Sequence, residues 1–203
     1  MIKIDKFITQ FSHSFGNQNN LFPWEITQHL TDILTELMAQ LDHNYDVNEG
    51  IAIHQTATID KGAILKAPVI IGPHCFIGSN ACLRGGVYLD NQVKIGTGCE
   101  IKTSIIFNNS AIAHFNFIGD SIIGSHVNFE AGSVTANHYN EREDKNILVV
   151  YNAAVIHTGI NKFGALVGDN SKIGANAVLS PGSILQPNSI VRRLELIDQL
   201  AVM

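Results

Sequence analysis

From residue 53 to residue 107 an aliphatic or aromatic side chain returns at every sixth position: Ile53, Ile59, Leu65, Ile71, Ile77, Leu83, Leu89, Ile95, Ile101 and Phe107. A helix repeats its face every 3.6 residues and a strand every 2, so a period of six marks a repeat architecture. Two positions before the anchors stand small residues, Ala57, Ala63, Cys75, Ala81 and Ala111, or the valines Val69, Val87 and Val93. Anchor and small partner pointing inward together wind a ladder of short strands round a narrow triangular core. Three hexads make one coil, and coils stack at about 4.8 Å. The expected fold is an all-β solenoid, a parallel β-helix of hexapeptide repeats.

The series slips near residues 113–122 and resumes at Ile123, Phe129 and Thr135. It breaks at HYNEREDKN, 138–146, and returns at Val167, Ile173, Leu179, Leu185 and Val191. About seven coils result, a column roughly 35 Å tall. The run of five charges in the break reads as a solvated loop, although extruded loops also carry functional groups. Before the repeats, Pro23 opens an apolar stripe of Ile26, Leu30, Ile33, Leu34, Leu37 and Leu41 at helical spacing. A helix there is expected to cap the open first coil, whose unpaired edge needs a cover. The organisation follows as an N-terminal helical segment at 1–49, the β-helix at 50–191 with an extruded loop at 138–148, and a short C-terminal tail helix at 192–203.

Charged residues are 15% of the 203-residue chain and apolar ones 45%, which suits faces buried against further copies. A formal net charge of −5 disfavours nucleic acid and anionic membranes as partners. Three cysteines give no disulfide framework. Cys75 and Cys99 fall at the small inward position and Cys82 is unassigned, so a reduced, cytoplasmic protein is expected. No signal-peptide core and no run of eighteen apolar residues is present.

A triangular prism has flat faces, so a concave site needs a second surface. A neighbouring copy supplies one most simply, and a homotrimer is expected. Arg84 and Lys102 both follow an anchor and are eighteen residues apart, so they stack one coil apart at one corner. Two cations about 5 Å apart repel unless an anion or a carboxylate lies between them. They are therefore either solvated charges, with Glu100 beside Lys102, or a phosphate perch. His114 lies twelve residues beyond Lys102, at another corner sharing a face with the first. His114, His126 and His138 occupy different corners, so one chain does not gather them round a metal.

The stretch AHFNFIGDSIIGSHVNFEAGSVTAN, 113–137, resembles a signature of the form H-x-x-Y-x-G-D-x-x-I-G-x-x-V-N-x-G-A-G-T-x-T-x-N. That signature belongs to the acetyltransferase half of bifunctional sugar-1-phosphate nucleotidylyltransferase/acetyltransferases, within the left-handed β-helix acyltransferases. Similarity extends to LRGG at 83–86, EIK at 100–102 and NKFGALVGD at 161–169. The resemblance implies left-handed winding and His114 as catalytic base. It implies Arg84, Lys102 and Lys162 on an acceptor phosphate, with Asn128 and position 117 lining the acceptor. Asn137 and the backbone of Ala131 and Ala175 would meet the acyl donor. The implied co-substrate is acetyl-CoA or another acyl-CoA, with no permanently bound cofactor and no metal. The acceptor would be an amino-sugar phosphate or nucleotide sugar. Two departures stand out: the family tyrosine is Phe117, and a family glycine is Glu130. No Gly-rich nucleotide loop precedes the repeats, so the nucleotidylyltransferase half is not expected. Two alternatives remain open: an enzyme using acyl carrier protein, as in lipid A synthesis, and an inactive trimeric scaffold.

Overall fold

The computed structural model describes residues 2–200. From Ile51 onward the chain winds into a three-sided parallel solenoid. The second face is a 7-stranded sheet running from Thr58–Ile59 to Ile190–Val191. The first face runs from Ile51–His54 to Ser183–Leu185 and the third from Ile64–Leu65 to Leu196–Ile197. The strands Cys82–Leu89 and Glu100–Ile106 bend round the corner from the third face to the first and join the two. Inside lies a continuous core that includes Ile71, Ile77, Leu83, Leu89, Ile95 and Ile101, all fully buried. Cys75 and Cys99 point into it as expected. Burial pushes the Cys75 thiol up to about 12, so it packs as an inert apolar group.

The sixfold count shortens twice, once within the expected slip at 113–122 and once earlier, where the sequence shows no sign of it. Leu89 pairs with Ile106, which pairs with Ile123, so each of these coils is one residue short. The steps from Ile101 to Ile106 and from Ile118 to Ile123 carry the losses. Phe107 is therefore not an inward anchor: it is buried on the outside of the first face, against Phe15. The small inward residue of that coil is Ser110 rather than Ala111, its hydroxyl satisfied by the Gly124 carbonyl at 2.7 Å. The C-terminal tail is likewise no helix through residue 200. Leu196–Ile197 continues the count from Val191 and pairs with Val178–Leu179, and residues 201–203 lie outside the described residues.

Among the described residues the N-terminal segment forms three α-helices, α1 (Phe11–Phe15), α2 (Pro23–Gln28) and α3 (Leu30–Met38), with short 3-10 turns at Ile4–Lys6 and Gly16–Gln18. Proline opens α2 and the Glu25 carboxylate accepts the Phe22 N–H at 2.6 Å. At His29 the backbone leaves helical angles, which splits the single helix read from the stripe. These helices do not cap the first coil. They lie along the first face, where Ile2, Phe7, Phe11, Phe15, Trp24 and Leu30 bury its outward residues Ile70, Ile105, Ile122 and Leu166. The reason is written in that face: its strands are apolar on both sides, as in 69–71 and 165–167, and need a second layer. Asp169 fastens the layer by accepting the Thr9 N–H at 3.0 Å, the Thr9 hydroxyl at 2.9 Å and the Ser125 N–H at 2.8 Å. The exposed edge of the first coil is met instead by Tyr45–Asn48, antiparallel to Ile51–His54.

The break in the repeats is more than a loop. Its charges at 143–145 are exposed, but Tyr139, Ile147, Val149 and Phe163 fold back into the same outer apolar layer. Leu148–Tyr151 and Ala154–His157 form a hairpin turned by Asn152 and Ala153, both at positive φ.

Candidate active site

The third face carries most of the residues singled out by sequence. Its centre is set by Phe117, in register with Glu100 on one side and Val134 on the other. Two corners bound it: the turn from the second face, which holds His114, and the turn to the first face, which holds the cations.

At the first of these corners the carbonyl of His114 accepts the Gly132 N–H at 2.9 Å and the Asn116 amide at 3.1 Å. Asn116 is buried, and its own oxygen takes the Ser133 N–H at 2.8 Å. A buried asparagine therefore fixes the backbone beneath an exposed imidazole. The ring leans back over Gly96, where an added Cβ would meet the Ala113 carbonyl oxygen at 1.5 Å and His114 Nδ1 at 3.1 Å. Beside it Phe115 adopts φ +53° and is 71% exposed, in a column otherwise filled mainly by glycine or asparagine, such as Gly98, Gly132 and Asn176. A bulky residue held in the left-handed region stores strain, and such strain gathers at functional sites.

Ladder register stacks Ala131 and Ala175 behind His114 in the next two coils, because Asn128 pairs with Ala111 and with Lys172. Their backbones differ. The Ala131 N–H finds no acceptor among the described residues. The Ala175 N–H donates to Glu130 Oε2 at 2.9 Å and is not free for a thioester. Glu130 also takes the Arg193 guanidinium at 2.7 and 3.0 Å. These hydrogen bonds, from Arg193 first and the Ala175 amide next, hold its carboxyl at about 2. The carboxylate that replaces the family glycine thus ties its own coil to the next two. Asn128 stands apart on the second face, in a cleft of about 640 Å³ with Lys172, Ile190, Arg192 and Arg193.

At the opposite corner Arg84 and Lys102 are paired in register, as the repeat count required. Neither is a bare cation. Glu100 serves Arg84 rather than Lys102, with Nε to Oε1 at 2.7 Å. Lys102 Nζ lies 2.7 Å from Asp120 Oδ2, with side chains 17% and 8% exposed, and the Asn137 amide donates to the same oxygen. Asp120 was not singled out from sequence; its place one coil above Lys102 is the signal that finds it. Phe117 leans over Gly119, where a Cβ would come within 2.7 Å of the ring and 3.0 Å of Asn137 Cγ. Phe117, Asn137, Asp120 and Lys102 thus form one contiguous cluster. Lys162 arrives from the end of the insertion, exposed and without an ion pair among the described residues. It lines a cavity of about 250 Å³ at this corner.

The arrangement is an imidazole on one rim and a cationic cluster on the other, with a phenyl ring on the floor between. Comparison with known proteins places the chain among the hexapeptide-repeat transferases. Residues 50–85 match the family described as bacterial transferase hexapeptide (six repeats), and residues 154–181 match the hexapeptide repeat of succinyl-transferase. The chain is similar to a bifunctional protein GlmU of Methanococcus vannielii, 32% identical over 74% of this chain and 36% of that one. A bifunctional sugar-1-phosphate nucleotidylyltransferase/acetyltransferase of Sulfurisphaera tokodaii is 32% identical over 67% of this chain and 33% of its own length. The chain thus spans about a third of the length of these relatives. A solved hexapeptide transferase family protein from Anaplasma phagocytophilum is 18% identical, with a TM-score of 0.27 over 73% of this chain and 74% of that one.

Proposed function

We propose that this chain, a member of the hexapeptide-repeat transferases, moves an acyl group from a coenzyme A thioester to an amino-sugar phosphate or nucleotide sugar. The observation that carries the reading is the third face, with His114 on one rim and Lys102, Lys162 and Asn137 on the other. The acceptor lies across Phe117 with its phosphate toward the cations and its amine or hydroxyl toward the imidazole.

An imidazole is the side chain suited to take a proton from an amine or hydroxyl, and such a base contributes about 10²–10⁴-fold. The attacking nitrogen or oxygen forms its bond to the thioester carbon as its proton passes to His114. The thioester oxygen takes the negative charge until the carbon–sulfur bond breaks and the thiolate leaves. The unengaged Ala131 N–H is suited to bear that charge, one coil from the imidazole. The Ala175 N–H, already given to Glu130, is not. Lys162 and Lys102 fix the phosphate by charge-assisted hydrogen bonds and thereby orient the sugar. Phe117 offers an apolar floor where the relatives' tyrosine would offer a hydroxyl. No metal or resident cofactor is needed for these steps.

The trimer belongs to this reading. The first face is already covered by the N-terminal layer, so a second copy has the second and third faces to pack on, and packing there walls the site.

His114→Ala is expected to reduce free-thiol release from acetyl-CoA, with an amino-sugar phosphate acceptor, by at least about 10²-fold, with the thermal midpoint unchanged. Activity within tenfold of the parent removes the base assignment. Release only from acyl carrier protein thioesters assigns the carrier-dependent chemistry instead, and no release from any donor leaves a scaffold.

A further inference from the structure

The corner one coil above His114 is wired differently from its neighbours. Ladder register lines up Ala63, Ala81, Cys99, Asn116, Ser133 and Ala177 as the small inward residues of successive coils. Ala63, Ala81 and Ala177 each donate their backbone N–H to the carbonyl three residues back, at 3.2, 3.2 and 3.1 Å. Ser133 does not. Its N–H goes to the amide oxygen of buried Asn116, at 2.8 Å. Its hydroxyl takes the carbonyl three residues back instead, that of Glu130, at 2.8 Å, and lies 3.1 Å from the Gly174 carbonyl of the next coil.

That wiring decides where a neighbouring N–H points. Ser133 is 0% exposed inside the coil, so the Glu130 carbonyl it holds faces inward. A trans peptide sets its N–H opposite its carbonyl. The Ala131 N–H therefore faces out of the column, where it finds no acceptor among the described residues. The N–H groups on either side are spent along the ladder, Glu130 on Ile173 and Gly132 on His114. A hydrogen bond onto a peptide carbonyl also polarises that peptide and strengthens its N–H as a donor.

We propose that Ser133 is a positioning residue for acyl transfer, its hydroxyl aiming and polarising the Ala131 N–H toward the thioester oxygen while Asn116 holds the Ser133 backbone. This rests on the reading above in which that N–H bears the charge of the thioester oxygen. It adds the inward group that makes the donor ready before substrate arrives.

The matched control is Ser171, another buried serine. Its hydroxyl donates to the Gly168 carbonyl at 2.7 Å and lies 3.3 Å from the Gln186 carbonyl, at a corner that holds neither His114 nor the cations. Ser133→Ala is expected to lower kcat by about tenfold or more. KM for donor and acceptor should stay near the parent's, because the contact strengthens only in the transition state. The pH profile of kcat should not move, because the imidazole is untouched. Ser133→Thr should restore turnover; the signature that 113–137 resembles has threonine there, so the methyl fits. Ser133→Cys should be as slow as Ser133→Ala, because a thiol is a weak donor. Cys99 fills the same column, so this variant carries the test if alanine prevents folding. Ser171→Ala should lose comparable thermal stability and keep the parental kcat. With isotope-labelled alanine, the Ala131 amide proton should move upfield in Ser133→Ala and Ser133→Cys but not in Ser171→Ala.

Turnover of Ser133→Ala no slower than that of Ser171→Ala overturns the inference. So does an unmoved Ala131 resonance, a folded Ser133→Thr as slow as the alanine variant, or a displaced pH profile, which would place the damage at His114. A shifted Ala131 amide in a protein that releases thiol from no donor upholds the clamp and refutes the transferase reading instead.

Discussion

Thr135 stands at an inward position whose neighbours in the adjoining coils are Ile118 and Leu179. It is fully buried, and its hydroxyl has no hydrogen-bond partner among the described residues. An unmet buried hydroxyl costs about 1–3 kcal/mol, and valine keeps the shape without the cost. Thr135→Val is therefore expected to raise stability by about 1 kcal/mol, read from the urea midpoint. A loss of stability would mean that the hydroxyl is satisfied after all. The same position shows what a residue count can and cannot reveal. A sixfold period places Leu83 and Ile101 in the core and stacks Arg84 on Lys102, because ladder register follows arithmetic. It cannot choose between Ile106 and Phe107, adjacent and both apolar, so the five-residue step that turns Phe107 outward stayed hidden. Nor does a period say which carboxylate meets which cation. Glu100 neighbours Lys102 on the strand yet pairs with Arg84, and Lys102 is met by Asp120 of the next coil.

At the scale of elements, the strands of the first face differ from the others in a way the sequence does display. Val69–Ile71 and Ala165–Val167 are apolar throughout, whereas outward positions on the other faces include Lys94, Lys172 and Glu100. A strand buried on both sides reads as an unbroken apolar run, and that run marks the face the N-terminal helices cover. Coils are also tied across a corner by side chains, most plainly Glu130 to Arg193 and the Ala175 amide. Because the folded carboxyl lies at about 2, below its ordinary 4.5, its contribution is present above pH 4.5 and fades as pH falls toward 2. A nuclear magnetic resonance titration of the Glu130 carboxyl is expected to show a midpoint near 2. Arg193→Ala should return it toward 4.5, with the Ala175 N–H keeping it somewhat below. A midpoint of 4.5 in the parent would mean the pair is not formed in solution.

For the whole molecule, the consequence of a sealed first face is directional. The largest apolar side chains left in the open on the other two faces include Ile190 and Phe76 on the second, and Leu196 and Ile64 on the third. Phe76 and Ile64 stand near the first coils of their faces and Ile190 and Leu196 near the last, each a large apolar side chain open to an associating surface. The reading of three copies requires that they pack on these faces, and closed rings form when unlike patches meet head to tail. Light scattering behind size exclusion should therefore give about three times the 22.1 kDa of one chain. Ile190→Glu, at a position 73% exposed within one chain, should shift that mass toward one chain without unfolding it. Val155→Glu, on the tip of the hairpin and exposed on neither of those faces, should leave the mass as it was. If Ile190→Glu dissociates the assembly, its turnover should fall with the mass, because the third face then loses the wall that makes it a cleft. Full turnover from dissociated chains would mean that the groove at the cationic corner, with Lys162, is enclosure enough.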